Sequence, residues 1–570
     1  MFIRTATRRN RDGSAVRYYQ LVHNQWDKAA KTSRTTVVYN FGRTEDLDRP
    51  AIERLVASLT RLLGTEATAA GSRVRPDTGT PGLEFVSSVP AGGAWLLDGL
   101  WDRLGVDTVL TSLLAKTRRD RLTERVLFAL VANRALAPSS KLAAAGWVGA
   151  DVHIRGLAAT SDDACYRAMD WLVSVEAQVA KAVYSAVADL FTLEVDLLFF
   201  DTTSTYFQVD TADDPVARDA TGHVDDTATP ASSVGFRAYG NSKDHRRDLP
   251  QVVIGMAVTR TGIPVRVWSW PGNTADSALI RQVKTDLHDW RLGQVVWVAD
   301  RGFTSAENRR FLQAGGHGYI LGEKIRSGNA LAAQALSRQG RYTTLPNGLQ
   351  VKEVTVADHE RFVVCYNPAT AAKDGATRQD MLTKLTALID GTDAWTATKR
   401  AELRGVISTR PGLNRYLRTT STGLLRIDHG AVKAEAKLDG KYLLRTSDPH
   451  LSVQDIAAGY TQLLQVERAW RDMKHDLDLR PVYHRLEDRI RAHVLLCWLA
   501  LLLIRLIENT TDTTWPTLRT ELQRLHVGTF TGPAGTYQQS TPPSPTAANA
   551  FTALDITPPP RILHLDPTTR

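Results

Sequence analysis

Two aspartates end two strongly apolar stretches of the sequence, LLFFD at Asp201 and VWVAD at Asp300. Such runs are typical of central strands covered on both faces, and a right-handed crossover through the helical pattern at 274–290 lays the second strand parallel beside the first. Side chains at the carboxyl ends of adjacent parallel strands converge on one crevice. Two carboxylates there repel each other unless a cation neutralises them, and such oxygen ligands suit Mg²⁺ or Mn²⁺. The alternative is that each aspartate simply begins a turn, DTTS or DRGF.

A third acidic residue, Glu467, lies in the helical pattern SVQDIAAGYTQLLQVERAWRDMKHDL at 452–477. Tyr460, Glu467 and Lys474 are spaced by seven residues, and seven steps of 100° return almost to the same face of a helix. The surrounding residues are apolar enough for that face to pack against a sheet, so the carboxylate needs Lys474, Arg471 or a metal as its partner. The alternative is an ordinary surface glutamate paired with a helical neighbour.

The elements that must position these residues change character along the chain. Residues 1–64 are predicted to form a β ribbon and a short helix with a possible DNA contact, and 65–84 a polar linker. The helical pattern at 85–192 suits a DNA-binding or dimerisation domain, in which KTRRDR at 116–121 is either a solvated face or a DNA contact. The remaining predicted segments are the first part of an α/β core at 193–326, a β-rich insertion at 327–440, the second part of the core with the Glu467 helix at 441–510, and a helix with a proline-rich tail at 511–570.

The composition indicates what kind of partner the protein binds and in which compartment it works. The chain has 70 Lys and Arg against 61 Asp and Glu, a net charge of +9, which favours a polyanionic partner such as nucleic acid. Three cysteines stand far apart, which argues against a disulfide framework or a structural zinc and fits a reducing cytosol. The apolar run at 494–507 is short and broken by Arg505, so we expect a buried helix and no membrane partner. The N-terminus carries no apolar core of signal-peptide length.

Four stretches carry a family likeness when taken in order: FFDTTSTYF, GFRAYGNSKDHRRDLPQVVIGM, VADRGFTSAEN and the Y-x2-L-x3-E-x6-K run at 460–474. Together they resemble the DDE transposases of bacterial insertion sequences, in particular the IS-four-like group and its branch with a long β insertion before the glutamate. The likeness covers about 195–510 and extends more loosely over 1–190. The family's signature helix has an arginine where this chain has Leu463, so that arginine's role is not carried over.

The resemblance implies an α/β, ribonuclease-H-like catalytic core with Asp201, Asp300 and Glu467 as the catalytic, metal-binding triad. Between Asp300 and Glu467 the chain advances 467 − 300 = 167 residues, which leaves room for the inserted domain. Two Mg²⁺ ions, with Mn²⁺ as a substitute and no small-molecule cofactor, would serve strand cleavage and strand transfer. The side chains expected to contact DNA are Lys243, His245, Arg246, Arg247, Arg301, Tyr460, Arg471 and Lys474.

The implied function is DNA transposition, with binding to the terminal inverted repeats of the element. The implied partners are double-stranded DNA at the element ends and the target, and a second copy of the chain in a synaptic complex in the bacterial cytoplasm, at the nucleoid. One alternative is a domesticated DNA-binding protein or repressor that has lost catalysis. Another is a stand-alone ribonuclease-H-like nuclease. Without the resemblance, SKDHRRD at 242–248 could also be a solvated basic loop.

Overall fold

The computed structural model describes residues 2–9, 15–27, 32–43 and 83–567, except positions 192–194, 220, 226, 228–232, 289, 291, 327 and 357–359. The chain divides into two compact units, Met1–Pro81 and Gly82–Arg570. The first holds an antiparallel sheet of β1 (Phe2–Arg9), β2 (Ala15–Asp27) and β3 (Thr32–Arg43), in that order. The helix predicted at about 46–64, and positions 65–82 of the predicted linker, lie outside the described residues.

The second unit begins with strand β4 (Glu84–Pro90) and a helical segment. Its helices are α1 (Gly92–Arg103), α2 (Val106–Leu114), α3 (Thr123–Leu136), α4 (Lys141–Ala150), α5 (Asp162–Ser174) and α6 (Glu176–Leu190). Ser140 and Ser161 cap α4 and α5 by accepting a backbone N–H of the first turn. The basic run at 116–121 is exposed in the turn between α2 and α3.

A mixed sheet forms the centre of this unit. Its five core strands are β5 (Leu197–Tyr206), β6 (Gln251–Thr259), β7 (Pro264–Pro271), β8 (Val296–Ala299) and β9 (Gly318–Glu323). They lie in the order β7-β6-β5-β8-β9, with antiparallel pairing from β5 through β6 to β7 and parallel pairing from β5 through β8 to β9. The crossover helices are α7 (Asp276–Asp286) and α8 (Ala306–Gln313). The predicted α/β class is confirmed, and the arrangement fits a ribonuclease-H-like core.

The segment at 327–440 differs from the β-rich domain predicted for it. Strands β10 (Thr343–Thr344), β11 (Gln350–Val356), β12 (Glu360–Tyr366) and the returning β15 (Lys441–Thr446) extend the core sheet, since β15 pairs with β9. The rest is mainly helical, because alanine-rich stretches of strong helix formers such as ALAAQALS and ATKRAELRGVIS outweigh the short strands. Its other elements are α9 (Ala330–Ser337), α10 (Pro368–Ile389), α11 (Ala397–Ser408), α12 (Pro411–Asn414), a hairpin of β13 (Leu417–Thr419) and β14 (Leu425–Ile427), and α13 (His429–Ala436).

The helix predicted over 452–477 is two helices, α14 (Val453–Thr461) and α15 (Leu464–His475). Between them the backbone tightens to i→i+3 hydrogen bonds: the N–H of Leu463 donates to Tyr460 O at 3.1 Å, and that of Gln465 to Gln462 O at 2.8 Å. Tyr460 and Glu467 therefore lie on two successive helices and not on one continuous helix.

Helix α16 (Glu487–Thr511) runs through the core. Within the described residues it is the one helix long and apolar enough to cross a membrane, and its most apolar 18-residue window is entirely buried in the protein. Its buried arginines are paired: Arg491 with Glu487 at 2.8 Å, and Arg505 with Asp472 and Glu508. Burial and ion pairing of this kind are those of a core helix, as predicted from the sequence.

The proline-rich tail predicted within 511–570 contains regular helices and strands. It forms α17 (Trp515–Leu522), β16 (His526–Gly532), β17 (Gly535–Ser540), α18 (Pro545–Ala553) and β18 (Ile562–Pro567). These strands and β4 make a second antiparallel sheet in the order β18-β17-β16-β4. Pro516 and Pro545 lie in the first turns of α17 and α18, where a missing N–H costs no helical hydrogen bond, so prolines here begin helices.

Candidate active site

The strand register brings Asp201 and Asp300 together. Strands β5 and β8 pair in parallel with Phe200 opposite Ala299, so the two aspartates occupy the next position of the register. Asp201 does not end its strand, because β5 continues to Tyr206 and pairs there with β6. Its carboxylate lies where β5 loses its parallel neighbour, and its side chain is 20% exposed. Two half-buried carboxylates therefore meet at the edge where side chains from parallel strands converge.

Lys243 supplies the cation beside Asp201. Its ammonium lies 3.6 Å from Asp201 Oδ1 and 3.3 Å from Asp276 Oδ2, and it donates to the carbonyl and hydroxyl oxygens of Thr202 at 2.5 Å each. Burial is the main reason that the pKa of Asp201 is raised to about 6; Lys243 opposes the shift, and the charges of Asp300 and Asp276 contribute to it. The local electrostatics favour a positive charge at this position.

Asp300 also begins a turn, as the alternative interpretation of the sequence predicted. Its Oδ1 accepts a hydrogen bond of 2.7 Å from the backbone N–H of Gly302, which holds the start of the DRGF turn. A single backbone donor leaves the other carboxylate oxygen available, so the turn and a ligand role are compatible at this residue.

Asp300 and Glu467 line one cavity of about 500 Å³, which we call the carboxylate cavity. Glu467 is exposed on the first turn of α15, and the helix packs against β5 and β6. Three cations, Arg301, Arg326 and Lys441, also line the cavity. A cleft that combines acidic and basic side chains in this way can hold a phosphate group beside carboxylates.

Tyr460 packs tightly at the wall of this cavity. Its ring stacks on Tyr442 with centroids 5.9 Å apart, and a Cβ atom built on Gly322 would lie 2.5 Å from the Tyr460 hydroxyl oxygen. Burial, reinforced by the charge of Asp300, raises the pKa of Tyr460 to about 12, with Arg301 opposing. The phenol is therefore protonated at neutral pH and is able to donate a hydrogen bond.

The candidate DNA-contacting residues separate into groups. Lys474 lies seven residues after Glu467 on α15, but its ammonium pairs with Asp244 at 3.2 Å, beside Arg480, which pairs with the same carboxylate at 2.9 Å. Arg301 lines the carboxylate cavity. The others lie on the surface: His245 is exposed, Arg246 pairs with Asp248 at 2.7 Å, Arg247 donates to Asn241 at 3.2 Å, and Arg471 is 3.9 Å from Asp472.

Sequence reasoning missed two carboxylates at the same edge of the sheet. Asp276 begins α7 shortly after β7, a strand that runs parallel to β5, and this position was the available signal. Glu323 ends β9 as Asp300 follows β8, in the pattern GYILGE. The Glu323 carboxylate is bound by other side chains of the protein: it accepts a hydrogen bond from Thr304 at 2.8 Å and lies 3.4 Å from buried Arg445.

The acidic side chains at this edge of the sheet are possible ligands of a divalent cation. Among the described residues, no three His, Cys, Asp or Glu side chains are grouped closely enough to hold a metal ion. Asp201 and Asp300 nevertheless fit one, since they are oxygen donors in adjacent register and the position beside Asp201 takes the Lys243 ammonium. Glu467 lines the same cavity as Asp300 but is not grouped with the two aspartates.

Two family models match the chain. The model described as "IS1634 family transposase, N-terminal domain" matches residues 3–70. The model described as "Transposase DDE domain" matches residues 219–503, which is 285 of 570 residues. This match begins after Asp201 and includes Asp300 and Glu467. No curated protein matches the chain. A cryo-EM structure of the piggyBac transposase synaptic complex with hairpin DNA is similar at a TM-score of 0.34 and 10% identity, over 77% of this chain and 82% of that one.

Proposed function

The chain belongs to the DDE transposases of insertion sequences, and from this membership we propose that it cleaves DNA strands at the ends of its element and joins them to target DNA at a metal site built on Asp201, Asp300 and Glu467. The observation that carries the proposal is the parallel register of β5 and β8, which sets Asp201 beside Asp300. The cavity that Asp300 shares with Glu467 supports the third ligand.

In the proposed mechanism the three carboxylates would hold two Mg²⁺ ions, or Mn²⁺ in their place. When bound, such ions activate water or a DNA 3′-hydroxyl for in-line attack on a phosphodiester and stabilise the leaving oxygen. Lys243 balances Asp201 and Asp276 while no divalent cation is bound. Arg301, Arg326 and Lys441 attract the DNA phosphate to the carboxylate cavity, and the Tyr460 hydroxyl can donate a hydrogen bond there.

The proposed partners are double-stranded DNA at the element ends, recognised through terminal inverted repeats, and the target duplex. Two copies of the chain would hold the ends in a synaptic complex, in the bacterial cytoplasm at the nucleoid. The net charge of +9 supports a DNA partner through its long-range attraction to phosphates.

A labelled DNA fragment carrying the sequences that flank the gene tests this function. With Mg²⁺, the wild-type chain should cut the fragment and join it to a second DNA, whereas Asp300→Asn and Glu467→Gln should lose more than about a hundredfold in rate and keep end binding. Each change removes a charge and little volume. Glu307→Gln, at an exposed helical glutamate that pairs with Arg281, is the matched control and should retain the wild-type rate.

Each alternative function has its own outcome in that experiment. Binding without cleavage in either Mg²⁺ or Mn²⁺ would identify a DNA-binding protein that has lost catalysis. Cut products that are never joined to target DNA would identify a nuclease. Wild-type rates in Glu467→Gln would remove Glu467 from the proposed triad.

A further inference from the structure

A second cavity, of about 560 Å³, lies beyond the carboxylates, at the far end of β5 and the end of α15. We call it the basic groove. Four cations line it: Arg237, Lys474, Arg480 and Arg485. Three aromatic side chains also line it: Tyr206, Phe207 and Tyr483. No Asp or Glu is among its lining residues. Cations interleaved with aromatic rings are the surface chemistry that binds single-stranded nucleic acid.

The cations of the groove are only partly neutralised. Asp244 is shared between Lys474 at 3.2 Å and Arg480 at 2.9 Å. Arg237 is paired with Asp213. Arg485 is exposed and pairs with no carboxylate in the described part of the chain. Four positive charges therefore face two negative ones, which leaves an excess of positive charge for phosphates.

The aromatic rings differ in how they are held. Two guanidinium groups contact the Tyr206 ring, with the Cζ atoms of Arg246 and Arg480 at 5.2 and 5.3 Å from its centroid. Arg237 similarly covers Phe207 at 5.5 Å. Tyr483, by contrast, is 77% exposed. It therefore offers a free aromatic face beside side chains that are fixed by their neighbours.

The groove lies close to the proposed cleavage site along two elements. Tyr206 is five residues after Asp201 on β5, a distance of about 17 Å along an extended strand. Lys474 is seven residues after Glu467 on α15, about 10 Å along a helix. A DNA strand at the carboxylates would reach the groove within about five nucleotides at the spacing of B-form DNA.

We propose that the basic groove binds an unpaired stretch of one DNA strand next to the cleavage site, with phosphates on Lys474, Arg480 and Arg485 and a base stacked on Tyr483. Its volume lies within the range of small-ligand pockets, about 300–1,000 Å³, which suits one or two nucleotides. The role next to cleavage rests on the proposed function, but binding of a single strand needs no cleavage.

Fluorescence anisotropy with a fluorescein-labelled 15-nucleotide oligo(dT), compared with a 15-base-pair duplex, tests the groove in EDTA. Tyr483→Ala should weaken oligo(dT) binding about tenfold, the order expected for one lost stacked base, and change duplex binding less than twofold. Tyr483→Phe keeps the ring and should bind like the wild type. Arg480→Gln should reduce the salt dependence of oligo(dT) binding by about one ion.

Two variants at comparable surface positions are the controls. Leu565→Ala on β18 removes an apolar side chain that is 66% exposed, and Arg524→Gln removes an arginine whose side chain is 67% exposed and that pairs with a neighbouring glutamate. Both should bind oligo(dT) as the wild type does. Thermal unfolding of all variants checks that any loss of binding is not a loss of fold.

The proposal is overturned by wild-type oligo(dT) affinity in Tyr483→Ala, by equal losses for single strand and duplex, or by a wild-type chain that does not bind oligo(dT). Its failure is distinct from failure of the proposed function. A chain that cuts and joins DNA but shows no effect of Tyr483→Ala keeps the function and loses the groove. A chain that binds single strands through Tyr483 but does not cleave DNA keeps the groove and loses the proposed function.

Discussion

The carboxylate of Asp201 is charged at neutral pH at a cost to the metal-free protein. Burial raises its pKa to about 6, above the value near 4 that an unfolded chain gives it. Between these values the folded state binds a proton that the unfolded state does not, so the free energy of unfolding falls as pH rises from about 4 to about 6. Strain of this kind is typical of residues placed for function and not for stability.

Asp201→Asn should therefore stabilise the metal-free protein. In EDTA at pH 7 we expect a gain of up to about 3 kcal/mol, the product of the pKa difference and 1.36 kcal/mol per unit, and a gain near zero at pH 4. Thermal unfolding measured from pH 4 to 7 checks this. Asp248→Asn is the control of opposite sign, because a hydrogen bond from Arg246 lowers the pKa of Asp248. A gain for Asp201→Asn that does not depend on pH would contradict the account.

Strand β9 positions the wall of the carboxylate cavity through a glycine. A Cβ at position 322 would lie 2.5 Å from the Tyr460 hydroxyl oxygen and 3.2 Å from the backbone nitrogen of Arg301. The stacking of Tyr460 on Tyr442 limits how far the ring can move. The glycine therefore permits the close approach of helix α14 to the sheet.

Gly322→Ala should destabilise the fold by about 1–3 kcal/mol, the usual cost of overpacking. Tyr460→Phe removes the atom nearest the new methyl group, so the double variant should recover part of the loss, and a double-mutant cycle measures that coupling. Gly405→Ala on α11 is the control: a Cβ there meets nothing within 4 Å, and an exposed helical alanine should stabilise by up to about 1 kcal/mol. Additive effects of the first two changes would show that the contact is not the cause.

At the element level, local patterns in the sequence predicted the core well. The runs ending in Asp201 and Asp300 are buried and parallel because continuous apolar strands need cover on both faces. The break at Gln462–Leu463 was not predicted, because helical periodicity continues through it in the sequence. The helices at 330–337 and 397–408 were not predicted, although their sequences are rich in strong helix formers.

Across the whole molecule, the missed features are long-range. Strand β4 pairs with β16, with Val89 opposite Val527, and no local pattern connects positions so far apart. The Lys474–Asp244 pair likewise joins α15 to a loop more than two hundred residues earlier. The helical spacing alone predicted Lys474 beside Glu467, whereas Lys474 lines the basic groove. Side-chain partners between distant segments are decided by tertiary packing.

Asp201, Asp300 and Glu467 are proposed to act as one metal site. Calorimetric titration of the full chain with Mn²⁺, comparing wild type with Asp201→Asn, Asp300→Asn and Glu467→Gln, tests it most directly, with Glu307→Gln as control. We predict that each of the three variants weakens Mn²⁺ binding by at least about tenfold and that the control does not. Unchanged Mn²⁺ affinity in Glu467→Gln, with the two aspartate variants weakened, would contradict the three-carboxylate site.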